Sequence, residues 1–119
     1  MSTIPEFTDI ELGAVQDTLK ERYGHEIEVQ LADSEIRLNS TDRELALCPA
    51  IYWKVDRCQF IILKTGEKAF RCQFFYSVRE EYGTGIREYD DILDCVVSLL
   101  RTQSDHDAER NSSSANGTE

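Results

Sequence analysis

Between residues 50 and 78 the chain repeats one pattern three times: apolar and polar residues alternate, and then two or three turn-forming residues intervene. The alternating runs are 50–55, 58–63 and 68–78, separated by Asp56-Arg57 and by Thr65-Gly66-Glu67. A period of two sends successive side chains to opposite faces of a sheet, and connections this short join antiparallel neighbours. A three-stranded meander therefore occupies the middle of the chain. Its central run, Cys58-Gln59-Phe60-Ile61-Ile62-Leu63, is apolar on both parities at its end, as expected of a strand inside a sheet.

The flanks add helices and further strands. In FTDIEL, Thr8 is placed as an N-cap, Glu11 closes a capping box, and Phe7 and Leu12 form a hydrophobic staple, so a helix begins near Asp9. Leu12, Val15, Leu19 and Tyr23 make its apolar face, and Gly24 is placed to end it. Ile27, Val29 and Leu31 then alternate as a strand, Asp33-Ser34 reads as a tight turn, and 35–38 continue the alternation. Residues 44–47 begin another strand, interrupted or bent at Cys48-Pro49, because proline cannot donate to a ladder and belongs at an edge, a bulge or a strand end. Residues 80–85 read as a loop and Ile86-Arg87-Glu88 as a short edge strand. The last helix carries Ile92, Leu93, Val96, Val97 and Leu100 on one stripe. Past Gln103 there is no aromatic and no large aliphatic residue to offset the entropy of ordering. The expectation is a single α+β domain over 1–103, followed by a disordered acidic tail over 104–119. The domain is a two-layer sandwich, with an N-terminal helix, an antiparallel sheet of five or six strands and a C-terminal helix, both helices lying on one sheet face.

A chain of 119 residues makes a core of its own without covalent help. The N-terminus has neither the basic nor the apolar region of a secretory leader, and no apolar run is long enough for a membrane span, which points to a cytoplasmic protein with its four cysteines as thiols. Net charge is −10 and unevenly spread: residues 6–35 hold nine acids against Lys20 and Arg22, whereas 36–103 hold ten of each sign. Such a field repels nucleic acid, unless the chain imitates it, and repels anionic membranes.

The order of helix, strands and helix, with an acidic first helix, resembles the layout of frataxin and its bacterial counterparts. The resemblance lies in the layout and carries no individual residue; it implies an acidic metal-binding protein as an alternative reading. Acidic secretion chaperones of similar size also combine terminal helices with a sheet.

Residues that could do chemistry are sparse. Zinc knuckles place cysteines two to four apart, whereas the gaps here are 10, 14 and 23. The parity of Cys58 and Cys72 reads as strand interior, and convergence of Cys48, Cys58 and Cys72 as ligands or redox thiols is the minor alternative. Of two histidines, His106 lies in the expected tail and His25 follows Gly24, where it caps a helix end. Tyr82-Gly83-Thr84-Gly85-Ile86 reads as a turn rather than a phosphate loop. Glu26, Glu28, Asp33 and Glu35 are the candidate ligands for a hard cation, set against diffuse surface acidity. No catalytic residue and no cofactor are assigned. A two-layer domain this small leaves one sheet face bare, and parity offers that face Tyr52, Phe74 or Phe75, Tyr76, and Ile61 or Ile62. The functional expectation is a non-enzymatic protein-binding factor, an adaptor, inhibitor or chaperone-like protein, with Tyr52, Phe74 and Tyr76 as its contact residues. Its partner is another protein or, in a homodimer, a second copy; a DNA-mimicking inhibitor is a further alternative.

Overall fold

The computed structural model describes residues 4–38, 41, 43–77 and 80–117. Helix α1 (Asp9–Tyr23) is followed by β1 (Gln30–Ile36), β2 (Ala46–Val55), β3 (Cys58–Gly66), β4 (Ala69–Ser77), β5 (Glu80–Tyr82) and α2 (Ile92–Gly117). The five strands form one antiparallel meander in the order β1-β2-β3-β4-β5. Among the described residues no helix is long and apolar enough to cross a membrane.

The start of α1 is set by the expected reciprocal bonds: Glu11 N–H donates to Thr8 Oγ1 at 3.1 Å and Thr8 N–H donates to Glu11 Oε1 at 2.8 Å. Gly24 ends the helix at φ 78, a left-handed conformation glycine adopts without a Cβ penalty, and its N–H donates to the Lys20 carbonyl.

Three boundaries depart from the sequence reading. Asp33-Ser34 is no turn; β1 runs straight through it, because pairing with seven consecutive residues of β2 outweighs the local turn preference. The expected break at Cys48-Pro49 is instead the interior of one long β2, although proline's restriction is still respected. Pro49 pairs with Asp33 of β1 but lies outside the β2–β3 ladder, which starts at Ala50, so it has one strand partner, as at an edge. Ile86-Arg87-Glu88 adds no strand; the fifth strand is Glu80–Tyr82, and Tyr89 makes a lone bridge to Phe70.

The core lies between the sheet and both helices. Ile51 and Trp53 of β2, Cys58, Phe60 and Ile62 of β3, and Phe70 and Phe74 of β4 form the sheet side. Val15 and Leu19 of α1 and Ile92, Cys95, Val96, Leu99 and Leu100 of α2 cover it. The stripe of α2 is rotated from the expected one: Cys95 and Leu99 are buried, while Leu93 and Val97 are 47% and 38% exposed and line a cleft of about 600 Å³ that also includes Thr18 and Arg22 of α1.

Helix α2 does not stop at Gln103. Its backbone is helical from Ile92 to Gly117, past the residue where the sequence reading ended the last helix. Past Gln103, the ring of His106 lies 4.1 Å from Tyr82, 5.7 Å from Phe74 and 5.7 Å from Tyr76, an aromatic contact that the sequence, with no apolar residue there, did not show.

Candidate partner-binding face

Strand alternation that sends Trp53, Phe60 and Phe74 to the helices sends their neighbours to the other side. Three cross-strand rows make that open face: Ala50–Leu63–Arg71, Tyr52–Ile61–Gln73 and Lys54–Gln59–Phe75, the last continuing to Glu81 of β5. Tyr52, Ile61, Leu63 and Phe75 are half-buried, and none of them belongs to the core cluster or packs against it. Tyr52 donates its hydroxyl to Gln59 Oε1 across the β2–β3 pair, which fixes the ring on this face.

One end of the face is closed. Arg71 Nη2 donates to the Leu38 carbonyl at 3.0 Å, and Arg87 Nη2 donates to the same oxygen at 2.9 Å. Neighbouring strands are about 4.8 Å apart, so an oxygen two residues past β1 reaches a side chain of β4 only if the chain leans over the sheet end. Glu88 joins this clasp, accepting from Thr65 Oγ1 at 2.8 Å and from Arg71 Nε at 3.1 Å. Cys48 and Ala50 are buried beneath it. The open part runs from Leu63 through Ile61 and Tyr52 to Phe75.

The sequence-derived contact residues separate accordingly. Tyr52 lies on the open face. Phe74 does not: it is 0% exposed, stacked on Tyr82 and tilted against Phe60, and its assignment as a contact residue is corrected. Tyr76 also points to the helix side, where it meets Phe74 edge-on at 6.1 Å and accepts a hydrogen bond from Gln103 Nε2 at 3.3 Å. The alternatives resolve as Phe75 and Ile61. Leu63, Gln59 and Gln73 were not among the residues the sequence offered for this face, although parity with Tyr52 through the β2–β3 register would have found them.

The candidate cation ligands stay apart from one another in kind. Glu26 and Glu28 lie on the irregular segment between α1 and β1, Asp33 and Glu35 on β1, and all four are exposed. Among the described residues no three His, Cys, Asp or Glu side chains form a group able to hold a metal ion. His25 places Nδ1 3.1 Å from the Glu26 carbonyl rather than on the helix end.

The four cysteines are free thiols. Cys48, Cys58 and Cys72 do not converge; the close pair is Cys72 and Cys95, with Cys72 Sγ donating to the Cys95 carbonyl at 3.8 Å. A hydrogen bond with Cys72, followed by burial, holds the Cys95 thiol far above its ordinary 9.0. Burial pushes Cys48 up as well, opposed by Arg71, and pushes the Tyr23 hydroxyl above 10.0, opposed by Arg22. A raised pKa in the folded state means stability is complete below the unfolded value and is lost as pH rises past it. Stability is therefore expected to fall above pH 9 as the unfolded thiols ionise and the buried Cys95 does not. Denaturant midpoints from neutral pH to pH 10 measure this, and Cys95→Ala should make the fall shallower. An unchanged slope would assign the alkaline loss to other groups.

Neither a family model, nor a curated protein, nor a solved structure matches this chain.

Proposed function

We propose that the chain is a non-enzymatic protein-binding factor, of the adaptor, inhibitor or chaperone-like kind, which associates through its open sheet face, and that the face is occupied by a second copy. The observation that carries this reading is the set of half-exposed Tyr52, Ile61, Leu63 and Phe75 on the side that no helix covers.

Charge favours a second copy as the occupant. The chain carries −10, yet on the open face and its rim Lys54, Arg71 and Arg87 stand against Glu81 and Glu88, so this face carries almost no net charge. The helix layer is acidic, with Asp9, Asp17 and Glu21 exposed on α1 and Asp94, Asp105, Asp107 and Glu109 exposed on α2. Face-to-face packing buries the neutral layer and turns both acidic layers outward, away from each other. Strands of nine or ten residues in β2, β3 and β4 present on the order of 400–500 Å² per copy, at about 3.3 Å per residue and about 4.8 Å between strands. Two such faces bury roughly 800–1,000 Å² together, below the standard size of stable interfaces and in the range of weak, transient ones, so the dimer is expected to dissociate in the micromolar range or above.

Sedimentation equilibrium over a wide concentration range tests the reading. The native chain should show a monomer–dimer equilibrium, and the double substitution Ile61→Lys, Phe75→Lys should leave a folded monomer. A native chain that stays monomeric throughout, or a double variant that dimerises as well as the native one, would sink it.

A further inference from the structure

The sheet has two edges, and they are built differently. On one side β5 has three residues and joins β4 through a shifted register, a short and irregular edge of the kind that resists further pairing. On the other side β1 pairs with β2 over seven residues with no shift. Its sequence, Gln-Leu-Ala-Asp-Ser-Glu-Ile, contains no proline, and its ladder has no bulge. Proteins guard an edge with such features or with charged side chains; here the charges are two carboxylates, Asp33 and Glu35, which oppose an acidic strand and not a basic one. Half of the backbone N–H and C=O groups of an edge strand point away from the sheet, and Gln30, Leu31, Ala32, Asp33 and Glu35 are all exposed.

The side chains say what this edge selects. Leu31, Asp33 and Glu35 share one face, with Leu47 of β2 beside Glu35. Leu31 is 61% and Leu47 57% exposed. Among the described residues neither Asp33 nor Glu35 has an ion-pair partner. A second β1 is a poor occupant: antiparallel pairing centred on Asp33 or Ser34 sets carboxylate directly against carboxylate, and like charges across a ladder destabilise it. An extended segment with basic residues two apart reverses that sign and places an apolar residue against Leu31.

We propose that β1 is a strand-addition site for an extended segment of another protein in which Lys or Arg alternates with apolar residues. Backbone pairing supplies the attachment, Asp33 and Glu35 supply the selection, and the acidic charge of the chain steers basic segments toward it. The proposal adds a second surface to the protein-binding reading above. The two rest on different residues, so either fails without the other.

The test is a titration of labelled synthetic peptides against the full chain, read by fluorescence anisotropy at moderate salt. The probe is an acetylated, amidated peptide of alternating valine and lysine; one comparison peptide has glutamate for lysine, and another has alternate backbone nitrogens methylated. The lysine peptide should bind about tenfold or more tightly than the glutamate peptide, and the methylated one should lose binding because its ladder donors are gone. Asp33→Lys with Glu35→Lys should invert the preference, with the fold checked by circular dichroism and dimerisation through the open face unchanged. If that variant does not fold, the methylated peptide decides. Equal binding of the methylated peptide, or no preference between lysine and glutamate, would overturn the proposal, since general surface attraction needs no ladder.

Discussion

Replacing Glu11 by alanine is expected to cost this protein about 3–5 kcal/mol of folding stability, the range for breaking a buried ion pair from one side. Lys64 is 1% exposed in its side chain, and its ammonium donates to Glu11 Oε1 at 2.7 Å and to the Glu6 carbonyl at 3.0 Å. The rings of Phe7 and Phe70 lie 5.9 and 6.0 Å from it, which supports a cation but does not replace a counter-charge. Without Glu11 the buried ammonium keeps one carbonyl, and the same substitution removes the acceptor for the Thr8 N–H, opening the capping box at the start of α1. Lys64→Met should be milder, because the thioether fills the apolar part of the site and Glu11, with 15% of its side chain exposed, can turn to water. The expected order in denaturant midpoint is native, Lys64→Met, then Glu11→Ala. The double variant should lose less than the two single losses added, since no charge is left buried alone. Full additivity would show that the pair is not coupled.

Phe74→Ala is expected to cost about 3–5 kcal/mol, the range for emptying an aromatic side chain from a core. Phe74 has its ring within 6.4 Å of Phe60, 6.1 Å of Tyr76, 5.5 Å of Tyr82 and 5.7 Å of His106. Its loss therefore opens a cavity between β4, β5 and the second half of α2. The informative comparison is the next residue along the strand. Phe75→Ala removes the same ring from the open face and should cost less than about 2 kcal/mol, since the side chain is half in water. It should instead weaken dimerisation. Similar stability losses at both positions would mean that the open face is packed as tightly as the core, and would remove the basis for the proposed interface.

Tyr76 shows why parity alone was insufficient for choosing contact residues. Period-two alternation states that Phe74 and Tyr76 share a face and that Phe75 takes the other, but not which face the helices cover. That was decided by α2, whose buried Cys95, Val96 and Leu99 settle on the Phe74 side. The rotation of the α2 stripe has the same origin. Leu93 and Val97 are as apolar as the residues that were buried, and Cys95 and Leu99 displaced them because both helices must share one sheet face, so that a cleft remains where Leu93 and Val97 emerge. Lys64 was legible in part. It has the parity of Phe60 and Ile62, and a lysine at a core parity calls for a counter-charge; that the counter-charge is Glu11, 53 residues earlier, follows only from the docking of α1.

What the sequence determined by itself was local and periodic. The start and end of α1 were fixed by Thr8, Glu11 and Gly24, because caps are made by residues within a few positions of one another. The meander through β2, β3 and β4 was fixed by alternation and short turns, because antiparallel neighbours need nothing from elsewhere in the chain. The tertiary structure decided what depends on distant pairing. It carried β1 through Asp33-Ser34, left Pro49 outside the β2–β3 ladder, set His106 of α2 against Tyr82, and bound the Leu38 carbonyl to Arg71 and Arg87. In each case a weak local preference was outweighed by a contact between residues far apart in sequence, and that contact energy is written in no single window of the chain.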